Sequence, residues 1–268
     1  MNRMTMDKES FVAQLPSVFS MEGELLYDDR NTIKLFTMDD GAEIVVKRFK
    51  RPNIVQKVAY TFFRPTKARR AFIHGRELTS RGIVTPEPYG YAETKRMGLI
   101  DYCYFASSRT SGRPIEDYLY RDDWDRQLAE LFARYAAYLH MKGVLHHDLN
   151  DTNVLYDTEW FGDGGYCGPE PFECCNVSRM FSVIDTNRMK FYPEGQEIPL
   201  GECLLNLSRF TKRMDLFEFV LHKYAEYRHL DADTLVREGL AVKSRFDSRR
   251  RRKKTFLARL KRLVGIGG

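Results

Sequence analysis

The segment 144–156, VLHHDLNDTNVLY, places a carboxylate and a carboxamide at a spacing that could do chemistry. Asp148 follows two histidines, and Asn153 comes five residues later, before the apolar run 154–156. A carboxylate beside a hydroxyl nucleophile can accept its proton and orient it. The carbonyl oxygen of an Asn is a hard ligand that suits Mg²⁺. The segment therefore carries groups for a metal-dependent transfer to a hydroxyl, such as phosphoryl transfer.

Three more positions occur in the order that protein kinases show around H-x-D-x-x-x-x-N. Lys47 lies on an alternating β-branched strand, EIVVKRF, like the Lys of the V-A-I-K motif. Glu77, in a predicted helix over 67–81, can pair with Lys47, although an ordinary surface ion pair is the alternative. Asp185 ends the apolar strand 181–186, FSVIDT, where a kinase has its second metal-binding carboxylate. Each match is weak alone, but the four in order predict a kinase-type site.

The histidines of the motif are not assigned the base. We expect His146 to have a structural role, hydrogen-bonding backbone near Asp185, and claim no catalytic role for His147, which occupies the Arg position of H-R-D. The alternative for Asp148 and Asn153 is that they only cap a turn.

The elements that must position these residues follow from periodicity and turn signals. Strands are predicted at 23–27, 31–37, 43–49, 88–93 and 97–106, and helices at 9–19, 67–81, from Asp122 or Asp123 to 142, 202–227 and 231–241. They predict an α+β, protein-kinase-like two-lobe fold: an antiparallel β N-lobe with one main helix, and a mostly helical C-lobe. The expected organisation is an N-terminal arm at 1–21, the N-lobe at 22–106, a hinge at 107–113, the C-lobe at 114–242 with an inserted loop at 160–176, and a basic tail at 243–268.

The sequence departs from the protein-kinase pattern at two places. The turn between the first two strands contains Asp28, Asp29, Arg30 and Asn31 and no G-x-G-x-x-G. We expect backbone N–H groups of this turn, helped by Arg30 or Asn31, to hold the phosphates. Asp185 is not followed by Phe-Gly and no A-P-E is present, so an activation-loop switch is not expected.

Composition indicates an ordinary globular protein, with 268 residues, 43% hydrophobic and 30% charged. No apolar run approaches the ~20 residues that span a bilayer, and we expect no signal peptide. The five cysteines are expected to be reduced thiols. A zinc site at Cys167, Cys174 and Cys175 is not favoured, because no C-x-x-C pair is present.

Positive charge is concentrated in the tail. Residues 243–262 contain eleven Lys and Arg and one Asp, a net charge of +10 against +6 for the whole chain. Phe256, Leu257, Leu260 and Leu263 recur there at helical spacing. The leading interpretation is a basic amphipathic helix on an anionic membrane surface. The alternatives are a solubilising disordered tail or a helix docked on the body.

A second basic stretch, 48–70, contains eight Lys and Arg and no acid, with apolar residues interleaved. It predicts either a solvated helix pair or a surface for anionic lipid or sugar phosphate. No nucleic-acid partner is expected, because no motif for one is present.

The segments HHDLNDTNVLY, FSVIDTNRMKF, VVKRFK and RELTSRGIVTPEP resemble the lipopolysaccharide kinase family of the Kdo/WaaP type, over about residues 22–220. The resemblance implies a fold similar to that of protein kinases. It also implies phosphorylation of an inner-core sugar of lipopolysaccharide, heptose or Kdo, with ATP and Mg²⁺. The expected location is peripheral, on the cytoplasmic face of the inner membrane, where the basic tail would meet a membrane-anchored substrate.

By this resemblance, Asp148 takes the role of base, and Asn153 and Asp185 hold Mg²⁺. Lys47, together with Glu77, orients the α- and β-phosphates. Two other functions remain open from the sequence: another small-molecule or protein kinase, and a non-catalytic, pseudokinase-like binding protein, which the missing Gly-rich loop would favour.

Overall fold

The computed structural model describes residues 3–4, 7–158 and 177–263, with the backbone alone for 3–4, 257 and 259–263. The strands are β1 (Arg3–Met4), β2 (Glu24–Asp28), β3 (Thr32–Met38), β4 (Glu43–Arg48), β5 (Pro88–Arg96), β6 (Leu99–Ser108), β7 (Arg113–Pro114), β8 (Val144–His146), β9 (Val154–Tyr156), β10 (Phe181–Val183) and β11 (Met189–Phe191). The helices are α1 (Lys8–Met21), α2 (Ile54–Phe62), α3 (Lys67–Ser80), α4 (Glu116–Leu119), α5 (Arg126–Met141), α6 (Val177–Met180), α7 (Leu200–Leu207), α8 (Met214–Tyr227) and α9 (Ala232–Leu263). The expected loop at 160–176, with Cys167, Cys174 and Cys175, lies outside the described residues.

The described chain divides into two compact units. One contains residues up to 113, together with 154–158 and 177–189, and the other contains 114–153 and 190–263. The chain therefore first passes from one unit to the other directly after the segment expected to be a hinge, 107–113.

The first unit is built on one sheet. Its strands follow the order β1-β3-β4-β6-β5, and β2 pairs with β3. All of these pairs are antiparallel except that of β1 with β3. Lys47 lies on the central strand β4, opposite Ile33 on one side and Phe105 on the other. Neighbours on both sides fix the backbone that carries this lysine.

Helix α1 is part of the core of this unit, although its segment was expected to be an arm. Asp7 caps its start, accepting a hydrogen bond from the Ser10 N–H at 2.7 Å. Its apolar face, Phe11, Leu15, Val18 and Phe19, is at most 5% exposed and packs on Phe36, Ile44, Val46 and Tyr104 of the sheet. Removing those four side chains from water stabilises the unit by roughly 1.5–3 kcal/mol each.

Helix α3 packs on the same unit. It begins at the N-cap Thr66, whose side chain accepts a hydrogen bond from the Arg69 N–H, and its Ala68 and Ala71 pack with Phe49 and Cys103. The buried thiols of Cys103 and Cys203 are free, as expected for reduced cysteines.

The pair of β9 and β10 completes the first unit. It is antiparallel, with Val154 opposite Val183. Asp185 follows the end of β10 by two residues. The Val183 N–H also donates to the Val84 carbonyl at 3.1 Å, which ties β10 to the segment after α3.

The second unit is mostly helical. Helix α5 starts at Asp125, which accepts from the Leu128 N–H at 3.0 Å, so the cap is Asp125 and not the expected Asp122 or Asp123. Large side chains of α5 and α8 are fully buried, among them Phe132, Tyr135, Phe217 and Tyr224. The helix predicted over 202–227 is two helices, α7 and α8, because the chain turns at 208–213 to lay Phe210 on Phe132, with ring centroids 3.8 Å apart.

Helix α9 runs to Leu263, well beyond the end expected near residue 241. A Cβ at Gly239 would lie 2.6 Å from Leu221, so this glycine permits the close approach of α9 to α8. Lys243, expected as the first residue of the tail, is 2% exposed and donates to the Ser208 carbonyl at 3.1 Å. The polybasic run thus begins inside a docked helix. In the described part of the chain, no helix is long and apolar enough to cross a membrane.

Candidate active site

Lys47 and Asp185, 138 residues apart in the sequence, form an ion pair in the first unit. The Lys47 Nζ lies 2.7 Å from the Asp185 Oδ1, and both side chains are largely buried, with exposures of 19% and 28%. The Nζ also lies 5.2 Å from the centroid of the Phe49 ring. A cation and a carboxylate held together in this way are the groups that bind phosphate and a divalent metal in phosphoryl transfer.

Asp185 has a backbone conformation that most residues avoid. Its φ is +57°, in the left-handed region, which costs an L-residue roughly 1–2 kcal/mol. The Asn187 side-chain N–H donates to the same Oδ1 at 2.5 Å and holds the carboxylate in place. Such a conformation is often found where the chain must aim a functional side chain.

The expected pair of Glu77 with Lys47 is wrong, although both residues are in the described part of the chain. The Glu77 carboxylate pairs with Arg81, four residues on in the same helix, at 2.7 Å. Such i,i+4 pairs form locally on a helix surface. The Lys47 amine has its carboxylate partner in Asp185 instead.

Other residues of α3 contact the chain after Asp185. The His74 Nδ1 lies 2.7 Å from the Thr186 carbonyl, and the Thr186 hydroxyl donates to the Ala71 carbonyl at 3.0 Å. Burial lowers the pKa of His74, so that the ring is neutral and its Nδ1–H can donate. Sequence reasoning missed His74, although it lies one turn before Glu77 in α3.

A set of cations surrounds this region. Burial, followed by the charges of Arg188 and Arg30, lowers the pKa of Lys67, while Asp185 opposes the shift. These three cations therefore lie within electrostatic range of one another and are suited to an anion. Of the two turn residues expected to assist, Arg30 is one of these cations, and the Asn31 Oδ1 accepts a hydrogen bond from the Lys50 N–H at 3.0 Å.

In the second unit, hydrogen bonds within residues 144–153, the Asp148 segment, fix its conformation. The Asn153 side-chain Nδ2 donates to the Asp148 carbonyl at 2.9 Å. This bond uses the amide nitrogen within the segment and leaves the Oδ1 as the atom suited to a metal. Asn150 accepts from the Asn153 N–H at 3.0 Å and from the Thr152 hydroxyl at 2.7 Å. It is a positioning residue that the motif comparison missed, although an Asn three residues before a turn end is a known turn signal.

His146 is buried and forms hydrogen bonds with Asp148 and Asn206. Its Nδ1 accepts from the Asp148 N–H at 3.1 Å, and its carbonyl accepts from the Asn206 side chain at 2.6 Å. Asn206 in turn bonds His140, which bonds the Tyr224 hydroxyl at 2.8 Å. Burial lowers the pKa of His140 to about 4, so this network stays neutral and links Asp148 to α5, α7 and α8. His147 is exposed.

A cavity of about 180 Å³ lies beside this segment, within the second unit. Asn150, Asp151 and Thr152 form part of its wall, with Glu116, Lys212, Lys243 and Arg250 among the other lining residues. Burial, followed by the charge of Glu116, raises the pKa of Asp151 to about 6. The Asp151 backbone is fixed on both sides, because its N–H donates to the Phe210 carbonyl and its carbonyl accepts from the Glu116 N–H, each at 3.2 Å.

Solved structures resemble this chain in fold. WaaP in complex with acyl carrier protein is similar over 92% of this chain and 96% of that chain, with a TM-score of 0.57 and 14% identity. The amicoumacin kinase hAmiN, in complex with AMP-PNP, Ca²⁺ and Ami, is similar over 89% of each chain, with a TM-score of 0.52 and 11% identity. The chain has a kinase-like fold. No protein-family model and no curated protein sequence matches it.

The kinase-like fold predicted from the sequence is thereby confirmed. In a kinase-like fold the sheet of the first unit corresponds to the N-lobe, and the helices of the second unit, with the Asp148 segment, correspond to the C-lobe. No group of three or more His, Cys, Asp or Glu side chains suited to a metal occurs in the described ranges. Mg²⁺ in nucleotide sites commonly needs only one or two protein carboxylates besides phosphates and water.

Proposed function

We propose that the chain is an ATP- and Mg²⁺-dependent kinase that phosphorylates a sugar hydroxyl of the lipopolysaccharide inner core, on Kdo or heptose. The observation that carries the proposal is the 2.7 Å pair of Lys47 and Asp185 in a chain of kinase-like fold. The residues come from distant parts of the sequence, and the backbone at Asp185 is in a costly conformation. A structural ion pair needs neither feature.

Each residue has one role in this proposal. Asp148 accepts the proton of the attacking hydroxyl, and Asn153 with Asp185 holds Mg²⁺. Lys47 binds the α- and β-phosphates, and Arg30, Lys67 and Arg188 add positive charge near Asp185, which supports phosphate binding without a Gly-rich loop. The nucleotide and its metal supply the phosphoryl group and neutralise charge on it. The residues of the chain position the reactants and take up the proton.

The cavity beside the Asp148 segment is the candidate acceptor site. Its lining combines the carboxylates of Asp151 and Glu116, which can accept hydrogen bonds from sugar hydroxyls, with the cations Lys212 and Arg250. A sugar that carries an anionic group, such as the carboxylate of Kdo or a phosphate, matches this mixture of charges.

The basic end of α9 supports a membrane-bound acceptor. Residues 249–254 are all Lys or Arg, and all six are exposed. We propose that this run contacts the anionic lipids of the cytoplasmic face of the inner membrane. It lies beyond Lys243, where α9 is docked on the body of the unit.

A second candidate is a kinase that acts on a soluble small molecule. The similarity in fold to the amicoumacin kinase favours it. The same catalytic residues would serve, and only the acceptor would differ.

The test is incubation of the full chain with ATP and Mg²⁺ and either purified lipopolysaccharide or soluble aminoglycoside-like and monosaccharide acceptors. Mass spectrometry of the acceptor then shows which molecule gains a phosphate. The proposal expects phosphate on an inner-core sugar. Phosphorylation of a soluble acceptor alone would favour the second candidate, and nucleotide binding without any transfer would identify a pseudokinase.

A further inference from the structure

Helix α2 is attached to the N-lobe sheet by its polar side chains. Lys57 of the helix pairs with Asp101 of β6, and so does Arg51, which lies just before the helix. Asp101 is only 7% exposed. The Thr61 hydroxyl accepts a hydrogen bond from the Ile100 N–H at 3.0 Å. Asn53 and Gln56 form a capping box at the start of the helix. The polar side of α2 thus contacts the protein.

The apolar side of α2 is exposed instead. Ile54 is 66% exposed, Val55 73% and Phe62 67%, and Phe63, directly after the helix, is 81% exposed. No residue of α2 is buried. A surface helix of a water-soluble protein normally shows the opposite arrangement, with its apolar stripe on the core.

The charge around this face favours one kind of partner. Residues 48–70 contain eight Lys and Arg and no acid. Lys50 before the helix and Arg64 just after it are both exposed. A helix with apolar and aromatic side chains on one side and cations beside them is typical of elements that lie in the membrane interface. Cations near an anionic bilayer are attracted to its surface.

We propose that the apolar face of α2, with Phe63, inserts into the surface of an anionic membrane. The rigid pairs of Lys57 and Arg51 with Asp101 hold the face outward before any contact with lipid. This surface is separate from the basic end of α9 and belongs to the other unit. The inference does not depend on the proposed kinase activity.

The test is flotation of the full-length chain with vesicles of phosphatidylcholine, with or without phosphatidylglycerol. Phe62 and Phe63 are replaced together by Ser. A matched control carries Met21→Ser and Leu25→Ser, because these side chains, on α1 and β2, are 71% and 55% exposed. All four positions are at the surface, so equal thermal midpoints are expected and serve as the check of folding.

The wild type is expected to float with the anionic vesicles. The Phe62 and Phe63 double variant should bind at least about tenfold more weakly, since two side chains lose their burial in lipid, while the control stays within about twofold. When residues 251–254 are also replaced by Gln in the wild type and in the double variant, the Phe62 and Phe63 substitutions should still weaken binding by the same factor, because the two surfaces act separately.

Three results would overturn the proposal. The first is a wild type that does not bind anionic vesicles, and the second is equal binding by the wild type and the Phe62 and Phe63 variant. The third is a wild-type dimer that becomes a monomer in this variant while vesicle binding is unchanged, which would mean that a second copy covers the face.

Discussion

The proposed catalytic residues form two parts, one in each unit, that differ in how they are built. The Asp148 segment is shaped by local hydrogen bonds, such as Asn153 to Asp148 at 2.9 Å, although Asn206, Phe210 and Glu116 also bond to its backbone. The Lys47–Asp185 pair joins a central strand to a turn 138 residues later. The local part could be recognised from its spacing, whereas for the distant part the sequence indicated both residues but assigned Lys47 the wrong partner.

The comparison predicts that the two parts fail in different ways when they are changed. Asp148→Ala removes the proposed base and should slow transfer by about 10²–10⁴-fold. Binding of Mg²⁺-ATP and the thermal midpoint should stay near wild type, because the segment is held by Asn150 and Asn153. Steady-state transfer and nucleotide titration measure the two quantities. His147→Ala, at the exposed neighbour, is the control and should retain transfer.

Asp185→Asn should instead remove binding. A ligand that binds only the folded state raises its stability, so Mg²⁺-ATP should raise the thermal midpoint of the wild type. That rise should be lost in the variant, since the metal loses a carboxylate. Thermal melts with and without Mg²⁺-ATP provide the measurement. An unchanged rise in Asp185→Asn would remove this residue from the metal site.

Lys47→Met and Glu77→Gln sharpen the corrected pairing. Loss of a charge-assisted contact to phosphate costs about 1.5–3 kcal/mol, so Lys47→Met should weaken ATP binding by roughly ten- to a hundredfold. Glu77→Gln breaks only the pair with Arg81, in which the Glu77 side chain is 41% exposed. Such pairs contribute less than about 1 kcal/mol, and ATP affinity should change by no more than about twofold. Calorimetric titration would distinguish the two variants, and equal losses would restore Glu77 as the partner of Lys47.

The smallest effect concerns Asp151. Its folded-state pKa of about 6 lies above the value of an unfolded Asp, about 3.9, so its contribution to stability is complete at low pH and is lost as pH rises through 6. Asp151→Asn should therefore raise the thermal midpoint at pH 8, by about 2–4 °C if the half-buried charge costs about 1 kcal/mol. The gain should shrink steadily as the pH is lowered towards 4. A gain that does not depend on pH would mean that the charge of Asp151 is not the cause.

Much of the fold could be predicted because its signals are local. The strand that carries Lys47 and the helix that carries Glu77 both lie within two residues of their predicted limits. The partner of Glu77 could not be predicted, because two carboxylates compete for one lysine and only the packing of α3 decides between them. The network of His146, Asn206 and His140 joins three helices and leaves no pattern in the sequence.

The two basic helices show the same limit. From composition alone, α9 and the stretch that contains α2 were both interpreted as basic surfaces for anionic lipid. The structure docks α9 on the second unit as far as Lys243, whose amine reaches the Ser208 carbonyl and Asp247, and it turns the apolar side of α2 outward. The two helices differ in whether the apolar side faces the core or the solvent, and this orientation could not be predicted from composition.

Transfer of the γ-phosphate from ATP to purified lipopolysaccharide tests the central claim most directly, measured beside ATP affinity for the wild type, Asp148→Ala and Asp185→Asn. The account predicts Mg²⁺-dependent transfer by the wild type and loss of transfer in both variants, with ATP binding retained only in Asp148→Ala. Full transfer by Asp148→Ala, or a wild type that does not bind ATP, would contradict it.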